Sequence, residues 1–259
     1  MSNMKITAQQ IKSMKGKGRI AMLTAYDYST AKVMDEAGIE IVLVGDSLGM
    51  VVLGYDTTQK VTMNDMVRHT GAVSRGIKKS HVVADLPYGS YGNKEDAARN
   101  AKLLIEAGAD SVKTEKMPEV TKAIIDAGIP VMGHIGLTPQ TITNFRVQGK
   151  DEEAANSILE QAKELERAGC YSLILECIPR DLAKKITETV KIPTIGIGAG
   201  IDCDGQVLVT PDMLGLFTDF KPKFVKHYAH LSENIKQAVD EYKQEVKERK
   251  FPDDAHSFH

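Results

Sequence analysis

The sequence has few cysteines and no strong excess of charge of either sign. Its 259 residues include three cysteines, an odd number with no C-x-x-C pair, which argues against both a disulfide framework and a zinc site. Lys plus Arg number 33 and Asp plus Glu number 35, so the formal net charge is −2. This balance argues against nucleic acid or an acidic membrane as the main partner. Small molecules as partners are compatible with this balance.

Long hydrophobic runs are absent as well. No apolar stretch approaches the ~18 residues of a membrane-spanning helix, and the N-terminal segment is too polar for a signal peptide. Hydrophobic residues nevertheless make up 42% of the chain, which is enough for a sizeable core. These features predict a globular protein of the reducing cytoplasm, without membrane contact.

Short apolar runs rich in valine and isoleucine recur along the chain. Most are nearly continuous, as in IEIVLVGD and YSLILEC, which is typical of parallel strands covered on both faces. The predicted strands are Ile20–Asp27, Ile39–Ser47, His81–Pro87, Asp110–Glu115, Ile129–Gly136, Tyr171–Cys177, Ile192–Gly198 and Gly205–Thr210. Eight strands with intervening helices fit a (β/α)8 barrel better than a doubly wound sheet.

Amphipathic stretches between these runs predict helices at 28–38, 63–79, 94–108, 118–128, 151–169 and 180–190. Thr62 and Asp65 have the spacing of a capping box. Four helices end in Ala-Gly directly before a strand, where glycine can adopt the left-handed conformation that ends a helix. We predict an α/β fold in which residues 1–259 form a single (β/α)8 TIM-barrel domain with a C-terminal helical extension.

Two segments fall outside the alternation. Residues 48–61 are too apolar and glycine-rich for a plain loop and could form an inserted hairpin. From Ala229 to Lys250 the pattern predicts a charged amphipathic helix. Its apolar stripe could pack on the barrel exterior or form a subunit contact, and consists of Leu231, Ile235, Val239, Tyr242 and Val246.

Polar residues are concentrated where the predicted strands end, which is the face that carries the active site in such barrels. Lys113 and Glu115 lie two residues apart on one strand and so point to the same side. The candidate site residues are Asp46, Ser47, Asp85, Lys113, Glu115, His134 and Glu176.

Each charged candidate also has a purely structural interpretation. Asp85 could cap the next helix, Lys113 and Glu115 could form a solvated ion pair, and His134 could be a core histidine. Glu176 is harder to explain in this way, because glutamate caps helices poorly. Together, four carboxylates at one rim should repel one another unless a cation neutralises them. Oxygen ligands without a Cys or His cluster favour Mg²⁺.

A competing motif spans Gly45 to Gly49, which matches both the G-x-S-x-G nucleophile elbow and the GDSL signature of serine esterases. Asp253 and His256 imitate the Asp/His pair of those esterases. However, their serine lies near the start of the chain, whereas a full βα unit precedes Ser47 here. The esterase is therefore the weaker hypothesis. The glycines of the segment 196–200 are better explained by close approach of the backbone to a ligand or a neighbouring strand.

Several longer segments occur together in one order. They are TAYDYSTA at 24–31, VGDSLGMVVLGYDTT at 44–58, HTGAVSRG at 69–76, DLPYGSY at 85–91, PVMGHIGLTPQ at 130–140, VQGK at 147–150, IPTIGIGAG with DGQVLV at 192–209, and FPDDAHSF at 251–258. With these segments, nearly the whole chain resembles the ketopantoate hydroxymethyltransferase family, which acts in pantothenate biosynthesis. The resemblance implies a barrel of the phosphoenolpyruvate/pyruvate type.

The resemblance also implies a role for each candidate residue. It implies Mg²⁺ bound by Asp46, Asp85 and Glu115, and a general base at Glu176. Substrate binding falls on Asp46, Ser47, Asp85, Lys113 and His134. Lys116-Met117 replace a glycine pair that usually follows the glutamate in the family, and residues 143–146 replace a second pair, so the local loops could differ.

The implied reaction transfers a hydroxymethyl group from 5,10-methylenetetrahydrofolate to 3-methyl-2-oxobutanoate through a Mg²⁺-stabilised enolate. The product is 2-dehydropantoate, or ketopantoate. The family also implies a ring-like homo-oligomer, typically a homodecamer. Two alternatives remain: a Mg²⁺-enolate lyase of the phosphoenolpyruvate mutase and isocitrate lyase type, and a catalytically silent barrel that serves as a binding scaffold.

Overall fold

The computed structural model describes residues 4–141 and 146–259. The chain forms two compact units, Met1–Val209 and Thr210–His259. The first contains the barrel and the second contains the C-terminal helix. The prediction of one domain over residues 1–259 stays a prediction. Residues 143–145, which belong to the second departure from the family pattern, lie outside the described residues.

Eight parallel strands close into a barrel in which each strand pairs with its sequence neighbour and the first pairs with the last. The predicted (β/α)8 fold is thus confirmed. Each predicted run contains one strand, although some runs extend up to three residues beyond it. The strands are β1 (Ile20–Thr24), β2 (Ile41–Val44), β3 (His81–Asp85), β4 (Ser111–Glu115), β5 (Val131–Gly136), β6 (Ser172–Glu176), β7 (Thr194–Ile197) and β8 (Gly205–Leu208).

The helices follow the predicted amphipathic stretches closely. In chain order they are α1 (Ala8–Ser13), α2 (Tyr28–Ala37), α3 (Leu48–Val51), α4 (Met63–Gly76), α5 (Lys94–Glu106), α6 (Pro118–Asp126), α7 (Glu152–Ala168), α8 (Arg180–Thr189), α9 (Thr210–Met213) and α10 (Leu231–Lys247). The capping box at α4 is confirmed, with Thr62 and Asp65 exchanging hydrogen bonds. The glycines of the four Ala-Gly pairs all have positive φ, as predicted.

The predicted hairpin at 48–61 is wrong. The segment contains the one-turn helix α3 and a 3-10 helix, Thr58–Lys60, instead of two strands. Two of its apolar residues are buried: Leu48 is fully buried, and Val61 packs so closely that a Cβ on Gly49 would lie 2.6 Å from it. The hydrophobic pattern therefore reflected a packed loop and not a strand pair.

Two hydrophobic clusters lie on opposite sides of the barrel wall. The outer cluster joins the strands to the surrounding helices. The inner cluster fills the barrel and includes Met22, Val83, Met132 and Ile174, and Ile11 of α1 belongs to it as well. Because strand residues alternate between faces, the inward positions of one strand are two residues apart. Along the strands, the inward positions are therefore apolar in the centre of the barrel and polar at the strand ends.

The C-terminal unit contains α10, in which no residue is buried. Along its predicted stripe, Ile235, Val239, Tyr242 and Val246 are all exposed in the single chain. Among the described residues, no helix combines the length and the hydrophobicity that crossing a membrane requires.

Candidate active site

The candidate residues lie at the carboxyl ends of β2 to β6, and the strand register brings them side by side. Asp85 is opposite Lys113, and Glu115 is opposite His134. On the next strand pair, Gly136 is opposite Glu176. A Cβ on Gly136 would lie 2.2 Å from the backbone oxygen of Glu176, so only glycine allows β5 and β6 to approach this closely.

The turn after β2 presents Asp46 and Ser47 to this cluster. The backbone N–H of Asp46 donates to Asp85 Oδ2 at 3.0 Å, which ties the turn to the end of β3. A Cβ on Gly45 would lie 2.8 Å from Ser47 Oγ, so a side chain at this position would displace the Ser47 hydroxyl. Asp46 and Asp85 are both buried, whereas Ser47 is half-buried. The sequence prediction that these residues lie together is confirmed.

Lys113 is the buried cation of the cluster. Its Nζ lies 3.1 Å from Asp85 Oδ1 and 3.3 Å from His134 Nδ1. The same His134 nitrogen is 3.6 Å from Glu115 Oε1. Lys113 and Glu115 thus share one face of β4, as their spacing predicts. The alternative of a solvated ion pair is wrong, because both residues are buried.

Glu176 meets the other nitrogen of His134. Its Oε2 lies 3.1 Å from His134 Nε2, and its side chain keeps 16% of its surface exposed. His134 Nε2 has no partner with hydrogen-bond geometry among the described residues, so the two groups are close but not locked together. Glu176 is therefore the carboxylate of the cluster with access to an incoming molecule.

Burial raises the pKa values of three carboxyls, and repulsion from neighbouring carboxylates adds to the shift for Asp46 and Glu115. Burial, with repulsion from Asp85, raises the pKa of Asp46 to about 7, although Lys113 and a hydrogen bond from Gln140 oppose the shift. Burial raises the pKa of Glu115 to about 9 and that of Glu176 to about 7, with Lys113 again opposing both shifts. One lysine does not neutralise these acids.

The two nitrogen bases are shifted in opposite directions. Burial would lower the pKa of Lys113, but the charges of Asp85, Asp46 and Glu115 outweigh burial and raise it, so the lysine stays charged. Burial and the charge of Lys113 hold the pKa of His134 well below its ordinary value. A neutral His134 accepts at Nδ1 from Lys113, which leaves its proton on Nε2, facing Glu176.

The donor set fits a hard divalent cation. Asp46, Asp85 and Glu115 supply carboxylate oxygens, and the buried Asp85 Oδ1 has no partner with hydrogen-bond geometry among the described residues. In the described ranges, no three His, Cys, Asp or Glu side chains come together in a way that could hold a metal ion by themselves. Mg²⁺ does not require three such ligands, because it commonly binds through one or two carboxylates and keeps several waters.

The nucleophile-elbow interpretation of Ser47 is wrong. Ser47 has ordinary right-handed backbone angles, φ −53° and ψ −19°, and not the strained turn of an elbow. Its Oγ shares a hydrogen bond of 2.8 Å with the Tyr26 hydroxyl, where a nucleophile would need a base. Asp253 and His256 pair with each other at 2.6 Å on exposed positions.

The glycines of the segment 196–200 lie close to side chains of a helix and a loop, whereas the sequence predicted close approach to a ligand or a neighbouring strand. A Cβ on Gly200 would lie 2.6 Å from the side chain of Arg180, and one on Gly196 would lie 3.0 Å from Cys203 Sγ. Both glycines therefore let the backbone approach neighbouring elements.

Three polar residues near the site were not predicted: Tyr26, Tyr91 and Gln140. All three are buried, and they contact Ser47, the backbone of Glu115 and Asp46 respectively. They lie in loops that follow strands and within the segments TAYDYSTA, DLPYGSY and PVMGHIGLTPQ. Polar residues in βα loops of a barrel face the site, so position along the chain was the available signal.

Comparisons with known proteins identify the family. The model of the ketopantoate hydroxymethyltransferase family matches residues 5–254. The chain belongs to this family. It is 57% identical to 3-methyl-2-oxobutanoate hydroxymethyltransferase of Syntrophus aciditrophicus, with 98% of this chain and 97% of the relative covered. It is 53% identical to the enzyme of that name from Carboxydothermus hydrogenoformans, over 98% and 95% of the two chains.

Solved structures agree on the fold of this hydroxymethyltransferase. Phosphonopyruvate hydrolase in complex with oxalate and Mg²⁺ matches with a TM-score of 0.62 at 12% identity, over 98% of this chain and 92% of the other. 2,3-Dimethylmalate lyase, of the PEP mutase/isocitrate lyase superfamily, matches with a TM-score of 0.62 at 15% identity, over 95% and 90%. The family membership makes the chain an enzyme of the ketopantoate hydroxymethyltransferase type.

Proposed function

We propose that this enzyme transfers a hydroxymethyl group from 5,10-methylenetetrahydrofolate to 3-methyl-2-oxobutanoate, giving ketopantoate for pantothenate and coenzyme A biosynthesis. The step requires removal of the C3 proton, attack of the resulting enolate carbon on the one-carbon donor, and hydrolysis to the hydroxymethyl product. The reaction therefore needs a base, a group that stabilises negative charge on the keto oxygen, and a group that binds the substrate carboxylate.

The observation that carries the proposal is the partly accessible carboxylate of Glu176 beside a neutral His134. A base is most effective when its pKa lies near the working pH, and burial raises the pKa of Glu176 to about 7. In the proposed role, Glu176 Oε2 takes the C3 proton. Nε2 of His134 lies 3.1 Å from this carboxylate without hydrogen-bond geometry, so the carboxylate stays free to turn toward the substrate.

Lys113 and Ser47 would hold the oxygens of the 2-oxo acid. Lys113 is charged, buried and next to Asp85, so its ammonium stabilises negative charge on substrate oxygens where water is excluded. Ser47 is half-buried and supplies a hydroxyl for a further hydrogen bond. Asp46, Asp85 and Glu115 would hold Mg²⁺, which supplies Lewis-acid stabilisation of an enolate when it is bound.

An assay of ketopantoate formation with and without methylenetetrahydrofolate tests the proposal. We expect product only with the donor, whereas exchange of the C3 proton in deuterated water, followed by proton NMR, should proceed with Mg²⁺ and the 2-oxo acid alone. Cleavage of a 2-oxo acid without the donor would instead support the lyase. A protein that neither exchanges nor transfers, although it binds the 2-oxo acid, would support the silent scaffold.

The proposal extends to assembly and location. We propose a cytoplasmic homo-oligomer, with a homodecamer as the expected form. The apolar stripe of α10, in which four of the five residues keep 44% to 58% of their surface exposed in the single chain, supports a contact between subunits. Light scattering after size-exclusion chromatography measures the mass directly, and a monomer at micromolar concentration would contradict this part.

A further inference from the structure

Gln140 lies against the carboxylate of Asp46 and is itself buried, with 2% of its surface exposed. Its Nε2 donates to Asp46 Oδ2 at 2.7 Å and to the backbone oxygen of Leu86 at 2.9 Å. Its Oε1 accepts from the hydroxyl of Tyr91. The amide thus uses both of its donors and its oxygen on protein groups.

These contacts fix the orientation of the amide. The oxygen of Leu86 can only accept, so the nitrogen of Gln140 must face it. The Tyr91 hydroxyl accepts the backbone N–H of Glu115 at 3.3 Å and is therefore free to donate to Gln140 Oε1. A flipped amide would place its oxygen against both the carbonyl of Leu86 and the carboxylate of Asp46. Only the orientation that donates to Asp46 satisfies all the groups.

The backbone of Gln140 is anchored as well. Its N–H donates to Glu115 Oε2 at 3.2 Å, and its carbonyl accepts from Gln59 Nε2 at 2.8 Å. Gln140 therefore contacts two of the three carboxylates that would hold the cation, Asp46 through its side chain and Glu115 through its backbone. It does so from a loop that is tied to the segment around Gln59.

We propose that Gln140 is a positioning residue that occupies Oδ2 of Asp46 and thereby directs Oδ1 toward a divalent cation. Without the amide, the Asp46 carboxylate could rotate and share both oxygens among its neighbours. Removing a partner that orients a metal ligand usually lowers metal affinity or activity about 10- to 100-fold. The inference rests on the proposed metal role of Asp46 and Asp85.

Gln140→Met tests the inference, since it keeps the length of the side chain and removes the amide. Electron paramagnetic resonance measures the concentration of free Mn²⁺ in the presence of the protein and so gives the affinity for the cation without any turnover. We expect about 10- to 100-fold weaker Mn²⁺ binding. In the assay with Mg²⁺, the concentration needed for half-maximal activity should rise, and saturating Mg²⁺ should restore most of kcat. A site that had simply collapsed would not recover.

Gln59→Leu is the matched control, because it removes one glutamine hydrogen bond to the same loop but leaves Nε2 of Gln140 on Asp46. It should bind Mn²⁺ nearly as well as the unaltered protein, and an equal loss would overturn the inference in favour of loop anchoring. Should Gln140→Met fail to fold, Gln140→Asn decides, since its shorter amide cannot reach Asp46 and Leu86 together.

The outcomes separate the two proposals. If the unaltered protein binds Mn²⁺ and the Gln140 variant binds it equally well, the positioning role is wrong while the metal site stands. If the unaltered protein binds no Mn²⁺ or Mg²⁺, the metal site and the positioning role both fail.

Discussion

The two ends of the barrel both bury polar side chains, but in opposite electrostatic conditions. At the amino ends of the strands, His81 Nδ1 donates to the backbone oxygen of Ile6 at 3.0 Å. Its Nε2 lies 2.8 Å from Ser111 Oγ, which is 2.9 Å from the Tyr171 hydroxyl. Burial lowers the pKa of His81, so this group of side chains is neutral. His81, Ser111 and Tyr171 each have hydrogen-bond partners.

At the carboxyl ends, four carboxylates surround one lysine. Asp85 Oδ1 lies 3.1 Å from Lys113 Nζ but makes no hydrogen bond of good geometry among the described residues. Backbone strain follows the same division. Within the described part of the barrel unit, the non-glycine residues with positive φ are Lys116, Met117 and Cys177, and all of them follow β4 or β6 at this end. The neutral, hydrogen-bonded cluster at the amino end is typical of side chains that stabilise the fold. The unbalanced charge and the backbone strain at the carboxyl end support our proposal that those residues bind a ligand.

The largest expected effect comes from Glu176→Gln at the carboxyl end. The amide keeps the shape but cannot accept a proton at neutral pH, so C3 proton exchange and hydroxymethyl transfer should fall together by about 10²- to 10⁴-fold. Binding of the 2-oxo acid and the unfolding midpoint should change little. Exchange at the unaltered rate would show that Glu176 is not the base, and His134 would be tested next.

Removing a carboxylate from the metal set should have the next largest effect. Asp46→Asn and Asp85→Asn each replace a charged oxygen ligand with a neutral amide of the same size. We expect Mg²⁺ affinity, measured by calorimetry, to fall at least about tenfold, since even supporting partners have effects of that size. Without metal, Asp46→Asn should leave the midpoint of thermal unfolding unchanged or raise it, because it relieves repulsion among the carboxylates. Asp85→Asn should lower that midpoint, because the buried Lys113 loses the carboxylate it pairs with. Unchanged affinity in both variants would remove the metal assignment.

At the amino end, Tyr171→Phe should affect stability alone. It removes the hydroxyl that pairs with Ser111 and His81 and should lower the free energy of unfolding by about 1 kcal/mol. Turnover and Mg²⁺ affinity should stay the same. A large loss of kcat, measured at a temperature where the variant is fully folded, would contradict a purely structural role for the amino end.

The His81 cluster should also make stability depend on pH. The pKa of folded His81 is lowered from its ordinary value of 6.5, mainly by burial, with Asp110 opposing the shift and Lys5 adding to it. Below pH 6.5 the unfolded chain binds more protons at His81 than the folded chain does. The stabilisation that neutral His81 contributes to the free energy of unfolding is therefore present above pH 6.5 and is lost as the pH falls, by at most about 1.4 kcal/mol per pH unit.

His81→Gln should remove that dependence. Asp46 and Glu176 have raised pKa values and act with the opposite sign in the same range. The measurement is therefore the difference in free energy of unfolding between the two proteins from pH 7.5 to pH 5. A difference that does not change with pH would contradict the assignment.

The smallest expected effect concerns the strained pair Lys116 and Met117, which both have φ of 55°. Replacing either by glycine relieves the strain of a left-handed conformation but increases the freedom of the unfolded chain. We therefore expect the free energy of unfolding to rise by about 0.5–1 kcal/mol. Glu119→Gly, in the ordinary first turn of α6, is the control and should destabilise. A loss of stability in both substitutions at the strained pair would show that their side chains stabilise the loop.

The sequence predicted the barrel well because most strands repeat the same local pattern, a nearly continuous apolar run followed by a glycine- or aspartate-containing turn. It also predicted which charged residues meet, since strand ends share one face. The segment 48–61 could not be predicted, because burial of Leu48 and Val61 against a loop gives the same hydrophobic pattern as a strand. Gln140 was missed because its role depends on three contacts with distant parts of the chain.

Closure of the barrel has a consequence for synthesis of the protein. Ile20 of β1 pairs with Gly205 of β8, so the ring of strands is complete only when both ends of the barrel sequence have met. During translation, β1 to β6 with all the candidate acids leave the ribosome before β8 does. Until then the exposed edges of β1 and of the last finished strand are open to pairing with other chains. The enzyme thus acquires its activity late, and the nascent barrel is the stage at which it most needs protection from aggregation.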